Sequence, residues 1–331
     1  MKIRLPIAAA LTTLPLLLAA AGCDLRAASG PVPVLMYHNL APDPGGDVWT
    51  VSTEEFRRQI ADLKAQGFRT ILPEDLPRLR PWKFWFPRKP VILTFDDGLL
   101  GAATEAEPIL RAAEFQAISY LILGFVADAP AERKKYRADD CLTWEEVRAL
   151  QARGVFSFGI HSFSHTPAPA LQAQETAECR NLFRRNTGRE TRDYCYPYGG
   201  APDSLRQAVA AAGYRTAMIC EDQLFVPGPG ADLLRIPRVS VYGGSHAFAT
   251  TPLSAPANGE FRAEAKNEGV PLPVRALLRD RQTDRTWPFR PERRLDGHPQ
   301  TWIWTNLPPD LSAAAIQVEM WEPNGLFRYH P

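Results

Sequence analysis

Apolar and polar positions along Val32–Val241 follow two alternating patterns, one typical of buried strands and the other of amphipathic helices. Short apolar runs bounded by turn residues predict eight strands, at residues 32–38, 69–72, 90–95, 117–123, 155–160, 193–197, 215–220 and 235–241. Apolar residues at helical spacing between them predict five helices, at residues 53–66, 100–114, 143–153, 170–187 and 202–212. Such alternation favours parallel strands joined by crossover helices, which is an α/β fold.

The first predicted helix shows how clearly its ends are marked. Ser52 precedes it in a cap-like sequence, and Gly67 follows its last turn. Phe56, Ile60 and Leu63 recur at helical spacing, so we expect these three side chains to lie in the core.

The pattern changes after about residue 245. Ser254–Arg294 is rich in Pro, Arg and small residues and has no helical periodicity. Thr301–Thr305 and Ala315–Trp321 then alternate as exposed strands do. We therefore expect a small β-rich appendage over residues 246–331, which either has a binding role of its own or covers an edge of the preceding α/β fold.

The N-terminus has the pattern of an export signal. Lys2 and Arg4 precede the apolar run Leu5–Ala21, which is too short for a spanning helix. The four residues that end at Cys23 resemble a lipobox, which predicts removal of residues 1–22, lipidation of Cys23 and anchoring to a membrane. Simple cleavage without a lipid is the alternative. Either way the chain is expected outside the cytoplasm, in the periplasm or cell envelope.

Composition narrows the class of protein. Hydrophobic residues make up 45% of the chain, enough for a sizeable core, and a net charge of +1 argues against a nucleic-acid partner. Oligomeric state is left open.

Export permits disulfides, but sequence does not decide the pairing of the four remaining cysteines. Cys195 and Cys220 lie on consecutive predicted strands, which favours a bridge between them over other pairings. Free thiols fit the sequence equally well. The other two cysteines are Cys141 and Cys179.

Two adjacent carboxylates end the third predicted strand. Asp96 and Asp97 follow the apolar run Val91–Phe95 and precede Gly98, which permits a tight turn. Burying neighbouring carboxylates is costly unless a metal, an Arg or a Lys compensates their charge. This strand end therefore predicts a functional cleft, with a solvated turn as the alternative.

Two histidines follow the fifth predicted strand. His161 and His165 are four residues apart, which places them on one side of a helical turn. Two neutral imidazoles and one carboxylate suit zinc or a similar divalent metal. A third segment, Tyr196–Gly199, ends the next strand with turn residues. In a barrel these strand ends share one rim, where such folds carry their chemistry.

In this order the three segments resemble those of the polysaccharide deacetylase family, also called the NodB-homology domain or family 4 carbohydrate esterases. The resemblance covers about residues 31–245 and implies a distorted, incomplete (β/α) barrel. It also implies that Asp96 is the catalytic base and that a metal is held by Asp97, His161 and His165. Zn²⁺ is the expected metal, although this ligand set also accepts Co²⁺, Ni²⁺ or Fe²⁺.

The segment Val32–His38 is similar to the start of the exported poly-N-acetylglucosamine deacetylases. In that branch the general-acid histidine precedes the carboxylate pair, so His38 is the candidate acid. His246 is the rival implied by the family's usual order. The backbone N–H of Tyr198 is expected to stabilise the oxyanion.

One position departs from many members of the family. They carry an Arg oriented towards the catalytic Asp where this chain has Cys195. Three arginines are candidates to replace it from elsewhere: Arg192, Arg235 and Arg238.

The expected function is metal-dependent removal of N-acetyl groups from an N-acetylglucosamine-containing polysaccharide. Two alternatives remain: an esterase that removes O-acetyl groups from xylan, and a lipid-anchored polysaccharide-binding protein without activity. Candidate substrate contacts are Tyr37, Pro197, Trp82 and Trp85. The two tryptophans belong to an aromatic, basic loop whose rings could stack on sugars or pack beneath the rim.

Overall fold

The structure is a computed structural model that describes residues 31–78, 87, 89–221 and 223–243, together with the backbone of six strands between residues 261 and 329. The predicted signal segment with Cys23, the two tryptophans Trp82 and Trp85, and His246 lie outside the described residues. No helix in the described part of the chain has the length and apolar character needed to cross a membrane.

Short strands and helices alternate through residues 31–243. The strands are β1 (Val34–Tyr37), β2 (Asn39–Ala41), β3 (Thr50–Ser52), β4 (Arg69–Thr70), β5 (Pro90–Phe95), β6 (Ala117–Leu121), β7 (Lys135–Tyr136), β8 (Asp139–Asp140), β9 (Phe156–Ile160), β10 (Asp193–Cys195), β11 (Thr216–Met218) and β12 (Val239–Ser240). The helices are α1 (Thr53–Ala65), α2 (Glu107–Ala113), α3 (Trp144–Arg153), α4 (Pro169–Thr187) and α5 (Asp203–Ala211). A π-helical turn, Ala102–Ala106, leads into α2.

The main sheet is parallel and curved as part of a barrel. Its strand order is β11-β10-β9-β6-β5-β1-β12, with β4 beside β5, and every pair is parallel. All eight predicted strands and all five predicted helices have counterparts here. The predicted α/β fold, an incomplete (β/α) barrel, is therefore confirmed. The sequence did not predict the short β2–β3 pair or the β7–β8 hairpin.

Strand β5 shows how alternation divides the core into two sides. Val91, Leu93 and Phe95 pack in the cluster that includes α1, while Ile92 belongs to a second cluster on the inner side of the sheet. Because successive residues of a strand point to opposite faces, Thr94 also faces inward. The next residue on this inward face is Asp96, which directly follows β5.

The helix ends follow the local sequence. The Ser52 side chain accepts a hydrogen bond from the Glu55 amide and caps α1, as its sequence predicted. Thr143 and Glu146 form a capping box at the start of α3. Phe56, Ile60 and Leu63 are buried, which confirms the predicted core face of α1.

Six antiparallel strands are described beyond residue 260: β13 (Phe261–Ala265), β14 (Arg275–Asp280), β15 (Thr286–Phe289), β16 (Gln300–Trp304), β17 (Ile316–Trp321) and β18 (Arg328–Tyr329). β13 pairs with β16, and the other four form a sheet in the order β15-β14-β17-β18. Strands β16 and β17 lie where alternation predicted them. The separate β-rich appendage and its role stay predictions.

Gly159 in β9 provides a test of how tightly the side chains pack on the main sheet. A Cβ atom there would lie 2.4 Å from two ring carbons of Tyr120 on β6 and 3.0 Å from the Asp193 carbonyl on β10. We expect Gly159→Ala to lower the free energy of unfolding by about 1–3 kcal/mol, because an added methyl in a packed interior forces its neighbours to shift. Urea unfolding measures this change.

Gly228→Ala is the matched control, because its Cβ would meet nothing within 4 Å. That substitution should change the free energy of unfolding by less than about 0.5 kcal/mol. Equal effects of the two substitutions would contradict the close packing assigned to Gly159.

Candidate active site

Asp96 and Asp97 leave the end of β5 in different directions. Asp96 continues the inward face of the strand and is buried. Asp97 has a φ of 68°, in the left-handed region that non-glycine residues rarely adopt. This turn directs the Asp97 carboxylate towards the two histidines that follow β9. One backbone turn therefore separates the environments of two adjacent carboxylates.

Asp96 is held by a fully buried arginine. Arg238 Nη1 donates to Asp96 Oδ1 at 2.7 Å, and Nη2 donates to Oδ2 at 2.8 Å. Arg238 is 0% exposed and Asp96 is 2% exposed, so the pair is hidden from water. This two-point arrangement fixes both the position and the orientation of the carboxylate.

The Arg238 guanidinium also contacts other groups on the inner face of the sheet. Nη1 also donates to Thr94 Oγ1 at 3.1 Å, and Nε donates to the Ile219 carbonyl at 3.2 Å. Nη2 contacts the sulfur atoms of Cys195 at 3.2 Å and Cys220 at 3.4 Å. Burial alone would raise the pKa of Asp96, but the Arg238 charge outweighs burial and holds that pKa well below its usual range. Asp96 is therefore ionised at neutral pH.

Asp97, His161 and His165 form a second buried group beside Asp96. Asp97 Oδ1 lies 3.6 Å from Nε2 of each histidine, and the two Nε2 atoms are 3.1 Å apart. One donor atom from each of the three residues lies within 4.8 Å of the others. The three side chains thus point at one centre, as the sequence predicted.

This group fits a divalent metal. Asp97 Oδ1 is buried and has no hydrogen-bond partner within the described part of the chain. Burial and the charge of Asp96 raise the pKa of Asp97 to about 7. Two imidazole nitrogens and one carboxylate oxygen are the donors that Zn²⁺ and similar ions take in catalytic sites. A cation at this centre would satisfy the unpartnered oxygen.

The remaining ring nitrogens of both histidines have partners. His161 Nδ1 lies 2.8 Å from the Cys195 carbonyl, and His165 Nδ1 lies 2.7 Å from the Tyr136 hydroxyl. Burial lowers the pKa of His161, and burial together with His161 lowers the pKa of His165 to about 3. Both imidazoles are therefore neutral at neutral pH, the form that binds metals.

The expected helical turn between the histidines is wrong. Residues 161–166 form an irregular loop, in which Ser162 and His165 have φ values of 61° and 52°. The Ser162 hydroxyl accepts a hydrogen bond from the His165 amide at 2.9 Å. Two left-handed residues and this bond bring the rings together, where the sequence suggested simple helical spacing.

His38 follows β1 and lies near the same group. Its ring packs on Trp49 with centroids 4.6 Å apart, and its Nδ1 is buried with no hydrogen-bond partner among the described residues. Burial lowers the pKa of His38 to about 4, against the opposing charge of Asp96. Parallel pairing sets Tyr37 opposite Phe95, so His38 and Asp96 follow their strands at the same edge of the sheet. The structure thus brings His38 to the carboxylates, while its role as the acid stays a prediction.

Tyr198 lies beside the histidines at the rim. It has a φ of 59°, its ring centroid is 4.7 Å from that of His165, and 59% of its surface is exposed. The role of its backbone N–H as an oxyanion donor stays a prediction. Pro197, the preceding residue, is buried, so it offers no open surface to a sugar.

The predicted substrate contact of Tyr37 is wrong. Its side chain is 0% exposed, it stacks on Phe95 at 5.2 Å, and its hydroxyl donates to Gln59 at 2.9 Å. Alternation along β1 turns Tyr37 towards the helices and leaves only the next residue, His38, at the site. Tyr37 is a core residue.

The cysteines among residues 31–243 are free thiols. This supports the free-thiol alternative for Cys195 and Cys220, which both contact the Arg238 guanidinium. Of the three arginines that the sequence left open, Arg238 is the one that binds Asp96. Arg235 instead pairs with Glu221 at the surface, with both side chains nearly half exposed.

Two neighbours of the site were missed by sequence reasoning. Tyr136 reaches His165 from the unpredicted β7–β8 hairpin, and no local pattern marks it. Trp49 packs between His38 and Tyr242.

The sequence carried a weak signal for the role of Arg238. It lies two residues after the inward-facing Ile236 and so shares its face of the chain.

The Asp96–Arg238 pair makes a testable contribution to folding. We expect Arg238→Met to lower the free energy of unfolding by about 3–5 kcal/mol, because it leaves a buried carboxylate without a counter-charge. The double variant Asp96→Asn/Arg238→Met should be more stable than the single variant, since it removes both charges together. Urea unfolding of the single and double variants measures the coupling.

Arg235→Met is the control, because its exposed pair with Glu221 should contribute less than about 1 kcal/mol. If Arg238→Met cannot be obtained folded, recovery of folding in the double variant gives the same comparison. Equal stability of the Arg238→Met and Arg235→Met variants would refute the assignment.

The chain is similar in sequence to known proteins. Residues 86–217 match the polysaccharide deacetylase family. The poly-β-1,6-N-acetyl-D-glucosamine N-deacetylase of Escherichia coli (strain K12) is 25% identical over 137 residues, which span 39% of this chain and 20% of that protein. The protein of the same name from Staphylococcus epidermidis is 22% identical over 214 residues, 61% of this chain and 71% of that protein. The match thus spans only a fifth of the Escherichia coli relative.

Solved structures give the same fold. IcaB from Ammonifex degensii superposes with a TM-score of 0.55 and 25% identity, covering 64% of this chain and 93% of that chain. The Streptococcus pyogenes deacetylase PplD, in complex with acetate, has a TM-score of 0.55 and 23% identity, covering 65% and 93%. The segment that matches the polysaccharide deacetylase family, residues 86–217, includes the paired carboxylates, both histidines and Tyr198.

Proposed function

We propose that this protein is a metal-dependent deacetylase that removes N-acetyl groups from an N-acetylglucosamine-containing polysaccharide. One observation carries the proposal: a His–His–Asp donor set lies beside a second carboxylate that is fixed by a buried arginine. The donor set suits a metal with an open position, and the fixed carboxylate suits a base. The names of the Escherichia coli and Staphylococcus epidermidis relatives support the polymer class.

Asp97, His161 and His165 would hold the metal, with Zn²⁺ as the first candidate and Co²⁺, Ni²⁺ or Fe²⁺ as others. Such an ion supplies Lewis-acid activation of water and of the amide carbonyl when it is bound. Asp96 does not belong to this donor set, because Arg238 occupies both of its oxygens. Asp96 is thus free of the metal and oriented to take a proton from water.

His38 would protonate the departing amine, which cannot leave as an anion. Because the pKa of His38 is about 4, its ring is neutral at neutral pH and must gain a proton during the reaction. The water proton accepted by Asp96 is the available source, since Arg238 makes Asp96 a poor holder of that proton. The Tyr198 N–H would donate to the oxyanion, a contribution of about 10²–10³ in rate.

The exported location and the lipid anchor at Cys23 remain part of this proposal. They rest on the charged and apolar pattern of residues 1–23. An extracytoplasmic anchor would place the enzyme where a secreted polysaccharide passes.

The assignment of the general acid is tested by substituting each of its two candidates, His38 and His246. We expect His38→Ala to lower kcat by about 10²–10⁴ while the bound metal content stays unchanged, because a general acid is lost but no ligand is. His246→Ala should cost little by comparison. Steady-state kinetics and metal analysis of both variants measure this difference. A larger loss in His246→Ala would return the acid role to the family's usual position.

The substrate class is tested by measuring acetate release from N-acetylglucosamine oligomers and from acetylated xylan side by side. We expect release from the oligomers at a kcat/KM at least about tenfold above that for xylan. Preferential release from xylan would show an O-acetyl esterase, for which the same residues would serve. Metal-loaded protein that binds oligomers and releases no acetate from either substrate would show a binding protein.

A further inference from the structure

Tyr136 contacts one of the two candidate metal-binding histidines from an element outside the barrel sheet. Its hydroxyl lies 2.7 Å from His165 Nδ1, and the two ring centroids are 5.1 Å apart. His165 Nε2 faces Asp97 and His161 on the other side of the ring. Tyr136 thus contacts Nδ1 of His165, the ring nitrogen that the proposed metal would not use.

The two histidines are supported by different kinds of partner. His161 Nδ1 lies against the Cys195 carbonyl, which can only accept a hydrogen bond, so its Nδ1 carries the proton and its Nε2 is bare. His165 Nδ1 instead lies against a hydroxyl, which can either donate or accept a hydrogen bond. The orientation of that hydroxyl therefore decides whether His165 Nε2 carries a proton or a free electron pair.

We propose that Tyr136 is a positioning residue that accepts a hydrogen bond from His165 Nδ1 and so presents a bare Nε2 to a divalent metal. The inference rests on the proposed function, because it concerns the same metal centre. Partners of this kind fix the ring orientation and the tautomer of metal-binding histidines in many proteins.

The Tyr136 ring is held in place by its neighbours. Arg137, the next residue, lies over the ring at 5.4 Å, and the Phe125 ring packs against its edge at 5.2 Å. Arg137 itself has a φ of 55°, a strained conformation for a residue with a side chain.

The β7–β8 hairpin that carries Tyr136 is anchored on several sides. Arg133, just before it, binds Glu146 at 2.6 Å and 2.9 Å and also donates to the Cys141 carbonyl. Asn39, the residue after His38, donates to Asp139 at 2.9 Å. These contacts hold the hairpin over the site, and they join it to the segment that carries the proposed acid.

A substitution can remove the hydroxyl while leaving the ring in place. Tyr136→Phe keeps the edge contact with Phe125, whose centroid is 5.2 Å away. Two controls are matched to it. Tyr214→Phe removes a buried hydroxyl that donates to the Thr176 carbonyl, away from the site. Lys135→Met removes an exposed ion pair with Asp140 in the same hairpin.

The experiment measures Co²⁺ and Zn²⁺ affinity by competition with a chromogenic chelator, and the visible absorption spectrum of the Co²⁺ form. We expect Tyr136→Phe to bind both ions about ten- to a hundredfold more weakly than the wild-type protein. Its Co²⁺ spectrum should also change, because the orientation of one ligand is no longer fixed. Both controls should keep wild-type affinity and spectrum.

The outcomes separate this inference from the proposed function. Wild-type affinity and an unchanged spectrum in Tyr136→Phe would overturn the inference and leave the metal centre in place. An equal loss in Tyr214→Phe would also overturn it, since the effect would then be a general loss of stability. A wild-type protein that binds neither ion would refute the proposed function, and the inference with it.

Discussion

The buried ion pair between Asp96 and Arg238 determines the chemistry of the whole rim. A carboxylate and a guanidinium that are both removed from water each lose a large hydration energy, which only close, directional contact can offset. Here every N–H direction of Arg238 is used by Asp96, Thr94, Ile219 or a thiol of the inner face. Such an arrangement adds little to stability over a hydrophobic core, so its value is in holding one ionised carboxylate in a fixed place.

Backbone strain is concentrated where the proposed chemistry lies. Six non-glycine residues in the described part of the chain have positive φ values: Asp97, Glu114, Arg137, Ser162, His165 and Tyr198. Glu114 ends helix α2, whereas the other five lie in the donor set or in the segments that support it. Such conformations cost about 1–3 kcal/mol each and persist only when their surroundings hold them. The parallel strands provide that support, because their rigid ends meet at one edge.

The fold was predictable because its signals are local and repeated. Most strands of the main sheet lie in short apolar runs, and β5 was predicted at its exact bounds. Helices α1 and α3 also begin at capping residues that the sequence shows. The paired carboxylates and histidines were also found from sequence, since their segments end predicted strands. The unpredicted β2–β3 pair and β7–β8 hairpin have strands of only two or three residues, too short for any periodicity.

The rest of the site depends on contacts between distant residues. Arg238 is 142 residues from Asp96, and the sequence left Arg192 and Arg235 open beside it. Tyr37 was misassigned because a residue next to His38 points to the opposite side of β1, and sequence distance does not show this. The turn at Asp97 and the loop at His161–His165 depend on left-handed residues that no pattern marked.

The two adjacent carboxylates differ because their compensating charges differ. Asp96 has a permanent counter-ion in Arg238, so it stays ionised in a dry interior and cannot be displaced into the metal site. Asp97 has no such partner, and the charge of Asp96 raises its pKa further. In the proposed function an exchangeable cation would satisfy Asp97, and the two neutral histidines would complete its donor set. A fixed cation beside Asp96 and an exchangeable one beside Asp97 would then give two chemically identical neighbours the separate roles of base and ligand.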